Sequence, residues 1–376
     1  MITVRHATAL ETRAWDELVA RFPHARIVHT QAWLDWLEAS GCGTPLRLVA
    51  EVDGAVVGAC PGLLTRLGPL RLFGSPLPGW QTPSMGPVFD PGRVATEPLV
   101  AALVSFLERR HGVHHVELLS GTLDAPAMQR LGFRGEPIPT YRARLYPGDT
   151  TRALKALKES ARRNIRRATK LGLVARFEEN EAVVPEHYAQ LREVFVRGGN
   201  TVSFAEDRAR LFFRHLGAAG RLLAASVYLP DGTNIATGLF TVDGAELLLW
   251  SWAHRTAHRW FRPTELLTWT VMERAMAAGC ETFDLMGLGD FKMKFGAELD
   301  TSKQRWVRSR YRWLTRARDF AERGYRWQQS VRGRLARLRM FGWRRPGPDG
   351  NGDARDGDHA SEPMRAVPTG GAPCAS

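Results

Sequence analysis

Cysteine is scarce in this 376-residue chain: Cys42, Cys60, Cys280 and Cys374 stand far apart, with neither a CxxC pair nor a Cys/His cluster. That spacing argues against a zinc module and a disulfide framework, and it fits a reducing compartment. Long apolar runs are missing too. No stretch of about 18 uncharged apolar residues occurs, so no transmembrane helix is expected. The opening MITVRHATALETRAWDELV carries acids and no apolar centre, so no secretory leader is expected either. Also absent are a GxSxG elbow, a GxxxxGK[ST] loop, an HExxH pair and a strand-bound GxGxxG. Serine hydrolases of the elbow type, P-loop enzymes, zincins and dinucleotide enzymes therefore leave the front rank.

What is present is a globular composition, 44% hydrophobic and 24% charged, in a chain long enough for two domains. The net charge of +13 is unevenly placed, because residues 301–345 hold 15 Lys/Arg against 2 Asp/Glu. The remainder is close to neutral. Basicity thus belongs to an appendage and does not mark the body as a nucleic-acid binder.

Residues 1–147 read as a first α/β unit. Trp15, Leu18, Val19 and Phe22 recur at helical spacing, and a second short helix is expected at 31–37. Leu46–Ala50 and Ala55–Leu64 form a hairpin about Asp53-Gly54. The segment 73–87, with prolines at 76, 78, 83 and 87, is expected to be a loop. A helix at 97–111, a strand at 114–119 and a helix at 125–131 follow. The second unit, 148–310, begins with an expected basic amphipathic helix over 149–172, whose Leu154, Leu157, Ala161, Ile165, Ala168 and Leu171 make one face. A strand at 173–177, helices at 185–197 and 206–219 and a three-stranded meander at 222–252 come next, with Asp-Gly turns at 231 and 243. Both units run helices, meander, helix, strand, so a tandem of related domains is expected. A last strand is expected at 304–308. Residues 311–345 read as an Arg-rich amphipathic helix with Trp, Phe and Leu on one side, suited to an anionic membrane surface or to docking on the body. Residues 346–376 read as a disordered tail.

The chain is organised around residues 246–298. An aromatic strand (ELLLWSWAH), a Pro-led helix from Pro263, a Phe283-Asp284-Leu285 strand and a turn at Gly287 and Gly289 lead into Asp290-Phe291-Lys292 and Lys294-Phe295-Gly296. Upstream, Ser160-Ala161-Arg162-Arg163-Asn164-Ile165-Arg166-Arg167-Ala168 precedes Lys170-Leu171-Gly172. These two stretches resemble the FemAB-like and CelD-like branch of the GNAT acyltransferase superfamily, and the likeness extends over about residues 10 to 310. The resemblance implies tandem GNAT-like domains of α/β (α+β) class, each a mixed, largely antiparallel sheet flanked by helices. It also implies an N-acyltransferase that moves an acyl group from acyl-CoA, a co-substrate, to an amine-bearing precursor of the cell envelope: exopolysaccharide, peptidoglycan or lipid. No metal is expected. The place of action would be cytoplasmic, peripheral on the inner face of the membrane.

Such a reaction needs a polarised thioester carbonyl and a base for the amine proton. Asp284 is the expected base, with His254 and His258 as rivals; its plain alternative is a carboxylate capping the turn at Gly287. Lys292, matching the lysine of the resembled segment, would neutralise negative charge, or else would lie over Phe291 and Phe295 at the surface. Arg255, His258, Arg259 and Arg262 before the Pro263 helix, with Arg163 and Arg166 upstream, are the expected phosphate-binding cations, although 149–172 equally reads as a solvated face. The loop departs from the usual GNAT Arg/Gln-x-x-Gly-x-Gly pattern. Trp250 and Trp252 are expected at a core or acyl pocket, and Trp80 and Gln81 at the acceptor site. Two other readings stay open. One is a peptidyltransferase using aminoacyl-tRNA, whose phosphates the basic helix would touch; the other is a non-catalytic envelope-assembly binding protein.

Overall fold

The computed structural model describes residues 2–311, together with 313, 314, 318–320, 324, 328, 331 and 332. The chain runs β1 (Ile2–His6), α1 (Ala9–Arg13), α2 (Trp15–Ala20), α3 (Gln31–Ala39), β2 (Thr44–Val52), β3 (Ala55–Leu67), β4 (Leu70–Ser75), β5 (Val88–Phe89), α4 (Thr96–His111), β6 (His115–Ser120), α5 (Ala125–Arg130) and β7 (Arg134–Pro137). It continues through β8 (Thr140–Arg144), α6 (Thr150–Ala156), α7 (Glu159–Lys170), β9 (Val174–Phe177), α8 (Val184–Arg197), α9 (Glu206–Ala218), β10 (Leu222–Tyr228), β11 (Asn234–Asp243), β12 (Glu246–His254), α10 (Pro263–Ala277), β13 (Thr282–Asp284), β14 (Ala297–Asp300) and β15 (Gln304–Ser309).

Two mixed sheets result. The first has the order β1-β2-β3-β4-β6-β15-β7, with β5 on β3, and the second β14-β8-β13-β12-β11-β10-β9. Each contains one parallel pair joined through a helix, β4–β6 across α4 and β12–β13 across α10. The repetition read in the sequence is therefore a repetition of topology. The chain crosses between sheets at two places: β8 already lies in the second sheet, and β15 returns to the first, between β6 and β7.

The Asp53-Gly54 hairpin forms as expected, both residues taking the positive φ that a tight two-residue turn requires. The single helix expected over 149–172 is instead two. Leu157 is extended (ψ 149°) and buried, and Lys158 N–H donates to the Lys294 carbonyl at 2.9 Å. A tertiary contact thus overrides a continuous helical pattern. Strands β1, β5, β7, β8 and β14 had no sequence reading, and β4 takes in residues 73–75 of the expected Pro-rich loop. RGEP shows no apolar alternation, TYRAR is short and carries two arginines, and pairing to neighbours makes them strands.

One apolar core is shared by both halves. Trp33 and Trp36 on α3 meet Phe212 on α9 and Trp250 on β12. Ring centroids lie 5.1 Å apart for Trp36–Phe212, 5.8 Å for Trp36–Trp250 and 4.2 Å for the nearly parallel Phe212–Trp250 pair. Arg208 of α9 places its guanidinium 5.1 Å from the Trp36 ring centre and donates to the Trp80 carbonyl at 2.7 Å. The Pro-rich loop is thereby tied to the second half.

The expected helix over 311–345 and tail over 346–376 lie largely outside the described residues. Within them, Leu314 is buried, and Arg318 donates to Glu117 at 2.7 Å and Glu136 at 3.0 Å. Among the described residues no helix is long and apolar enough to cross a membrane. The shared core carries a stability prediction. Phe212→Ala should cost about 3–5 kcal/mol in urea unfolding, whereas Leu67→Ala, 59% exposed, should cost under about 0.5 kcal/mol. Equal, small losses would show that this cluster does not hold the halves.

Candidate active site

The parallel pairing of β12 with β13 stops at Leu248–Asp284, and the two strands part from there. The divergence has a local cause. After Asp284 the chain turns through Met286 (φ 47°) and Gly287 (φ 65°), both left-handed, a conformation uncommon for a side chain such as methionine. Asp284 Oδ1 accepts from the Met286 N–H at 2.9 Å, an aspartate turn. Lys292 Nζ donates to the carbonyls of Met286 and Gly287. A 3-10 turn over Asp290–Phe295 then leads away.

A cavity of about 90 Å³ opens beside this turn, between the two halves. Gln81 and Thr82 of the Pro-rich loop, Thr140, Trp250, Met286 and Lys303 are among its walls. Arg305 of β15 also lines it. The crossover strands β8 and β15 thus bring Thr140 and Arg305 to one place, and Lys303 directly precedes β15.

Asp284 is 1% exposed and receives three donors: Thr140 Oγ1 at 2.8 Å, Lys303 Nζ at 2.5 Å and the Met286 N–H. Burial pushes its carboxyl upward, but the Lys303 ammonium and these hydrogen bonds outweigh burial and hold it below the ordinary aspartate value. An ionised carboxylate so engaged is poorly placed to take a proton from an incoming amine. Asp284 anchors Lys303 and Thr140, both of which line the cavity. The turn-capping alternative is present in the same geometry.

Lys292 is buried, not spread over the surface. Burial pushes its amine down to about 7, and the charge of Asp284 pulls it partly back. Its contacts make it the support of the Met286–Gly287 turn. His254 lies at the far end of β12, where burial holds its imidazole down to about 4. Its Nδ1 stands 3.5 Å from Thr264 Oγ1, away from Asp284.

The expected phosphate-binding residues fall into two groups. Arg255 forms ion pairs with Glu186 and Glu193, so its charge is already matched. Arg259 lies 5.2 Å from the ring centre of Trp260, which is 58% exposed, beside the partly buried His258. Arg262 caps α10 in the left-handed region. Arg163 and Arg166 are exposed on α7. That helix is tied to the first turn of α10 where Asn164 donates to Glu265 at 2.8 Å; Lys294 reaches the same carboxylate at 3.3 Å. Arg163 and Arg166 thus lie on α7, and Arg259 and Arg262 on the turn that leads into α10, with Glu265 as the one carboxylate in the first turn of α10.

Of the aromatic and amide residues expected at the substrate, Trp250 and Gln81 line the cavity. Trp80 is buried in the shared core, and Trp252 packs on Phe291 at 5.7 Å. Sequence reasoning did not find Thr140, Lys303, Arg305 or Glu117. Arg305 pairs with the buried Glu117 at 2.8 Å; burial raises that carboxyl, but His115, Arg305 and Arg318 together hold it down to about 2. No local motif marks these residues, because strand exchange brings them together. Among the described residues no cluster of metal-ligating side chains occurs.

Residues 155–295 match a profile of the acetyltransferase (GNAT) domain. No curated protein matches the chain. Among solved structures, FemX is similar at 15% identity, over 81% of this chain and 96% of that one, with a TM-score of 0.66. A conserved protein of unknown function from Bacteroides thetaiotaomicron is similar at 11% identity over 82% and 99%, TM-score 0.55. A tandem GNAT protein from the clavulanic acid biosynthesis pathway is similar at 16% over 83% and 98%, TM-score 0.51. At these identities the likeness is one of fold, and that fold is the tandem GNAT arrangement.

The buried lysine gives a pH prediction. Between about pH 7 and its ordinary value of 10.5, the unfolded chain holds a proton on Lys292 that the folded chain has lost, so stability rises with pH across this window. Lys292→Met should remove that rise. Urea unfolding of both proteins at about pH 7 and pH 9 checks it; parallel shifts in the two would show that Lys292 keeps an ordinary affinity for its proton.

Proposed function

We propose, from the premise that residues 155–295 form an acetyltransferase (GNAT) domain, that this acyltransferase moves an acyl group from acyl-CoA to the amine of a cell-envelope precursor. The observation that carries the reading is the parting of β12 and β13 beside a cavity walled by both halves. A thioester would lie where the strands part, and the acceptor would enter the cavity. The amine nitrogen bonds to the carbonyl carbon, the carbon–sulfur bond breaks, and the amine proton leaves with the thiolate as a thiol.

Lys303, held at the cavity wall by Asp284, has ammonium N–H groups left over from that ion pair, and these would donate to the carbonyl oxygen as it becomes negative in the transition state. Lys292 keeps the Met286–Gly287 turn in shape. Arg163 and Arg166 on α7 and Arg259 and Arg262 before α10 are the cations assigned to the phosphates of the donor. The basic stretch 311–345 suits contact with anionic lipid, which would bring the protein to the membrane face where such precursors are made.

Two measurements test this reading. In thermal unfolding of the full chain, acetyl-CoA or palmitoyl-CoA should raise the melting temperature and Arg163→Ala/Arg166→Ala should lessen the rise. Stabilisation by uncharged tRNA alone would transfer the reading to a peptidyltransferase, and no response to any of them would favour a binding protein. With a thioester and amine that react, Lys303→Met should lower kcat/KM by about 10²-fold or more while circular dichroism stays unchanged. Full activity in that variant would remove Lys303 from the site.

A further inference from the structure

The cavity between the halves holds cations, yet each is matched. Lys303 pairs with Asp284 at 2.5 Å and Arg305 with Glu117 at 2.8 Å. Two of its hydroxyls are engaged as well: Thr140 donates to Asp284, and Thr82 accepts from Trp33 Nε1 at 3.0 Å. Leu77, Pro83, Leu119, Ile138 and Phe195 supply apolar wall. An anionic ligand would meet no uncompensated positive charge from these two residues and would lose its hydration on entry.

Two lining residues differ. The indole N–H of Trp250, a side chain with 0% exposure, and the side-chain carbonyl oxygen of Gln81 are both buried without a hydrogen-bond partner. An unmatched buried donor or acceptor is costly, and proteins retain few. Here one of each belongs to a residue that lines the same cavity. Gln81 also takes a left-handed backbone (φ 51°), and Arg208 holds the adjoining Trp80 carbonyl at 2.7 Å. Trp250 is fixed by its stack on Phe212.

We infer that this cavity binds the uncharged portion of a ligand, an apolar body with a secondary amide whose carbonyl accepts from Trp250 Nε1 and whose N–H donates to Gln81 Oε1. The inference rests on the acyltransferase reading only in calling this ligand the acceptor. It deepens that reading by excluding an acceptor that places a carboxylate or phosphate here.

The test needs no thioester, so its failure is separable from failure of the acyltransferase reading. The full chain is labelled with ¹⁵N at its tryptophan indoles, and the Trp250 signal is identified by its loss in Trp250→Phe. N-butylacetamide is titrated in, with hexanoate and 2-heptanone as the charged and N–H-lacking controls. The amide should shift the Trp250 signal saturably and bind more tightly than either control. Trp250→Phe and Gln81→Met should each weaken amide binding about 3- to 10-fold, and Gln81→Met leaves the aromatic stack intact should the first variant fold poorly. Binding of hexanoate as tight as that of the amide, or no movement of the Trp250 signal, as when water alone satisfies these atoms, would overturn the inference.

Discussion

The aromatic clasp between the halves is the constraint on which the remainder depends. Trp36 meets Phe212 and Trp250, with Arg208 over the Trp36 ring. Two surfaces that would otherwise be the outer faces of separate domains become one core, and the area removed from water favours a fixed relative placement. The cavity can exist as a defined space only because of that placement: its walls belong to the Pro-rich loop on one side and to β12, the Met286–Gly287 turn and Lys303 on the other. Trp250 belongs to both, stacking in the core and bordering the cavity.

Charge in this region is organised by burial. Asp284 and Glu117 are almost fully buried, and each is held ionised, Glu117 by His115, Arg305 and Arg318 and Asp284 by Lys303 with its hydrogen bonds. The returning strand β15 therefore performs two tasks. It completes the first sheet between β6 and β7, and it delivers neutralising cations to the cavity. Arg318, beyond β15, shares Glu117 with Arg305, so the start of the basic C-terminal stretch is coupled to the cavity wall through one carboxylate.

Much of the local architecture was legible in the residues. The Asp53-Gly54 hairpin, the Pro263 helix and the strand ending at Asp284 form as the pattern requires, because turn chemistry and periodicity act over a few residues. The readings that changed share one feature. Asp284 reads as a base until Thr140, Lys303 and the Met286 N–H are seen to engage it. Arg255 reads as a phosphate ligand until Glu186 and Glu193 are seen to match it. The 149–172 helix reads as continuous until Lys158 is seen bonding to Lys294. In each case the deciding partner is distant in the chain.

By itself the sequence determined the repeat of helices, meander, helix and strand, the amphipathic faces, and the central stretch with its acid, its glycines and its lysines. These follow from propensity and from burial of one face, both encoded within short windows. The tertiary structure alone decided that β8 and β15 cross between sheets, that Lys303 and Arg305 stand at one cavity with their charges matched, and that Trp250 and Gln81 border it unpaired. Such facts depend on which strands become neighbours, and neighbour choice is settled by the free energy of the whole assembled core, which no local window contains.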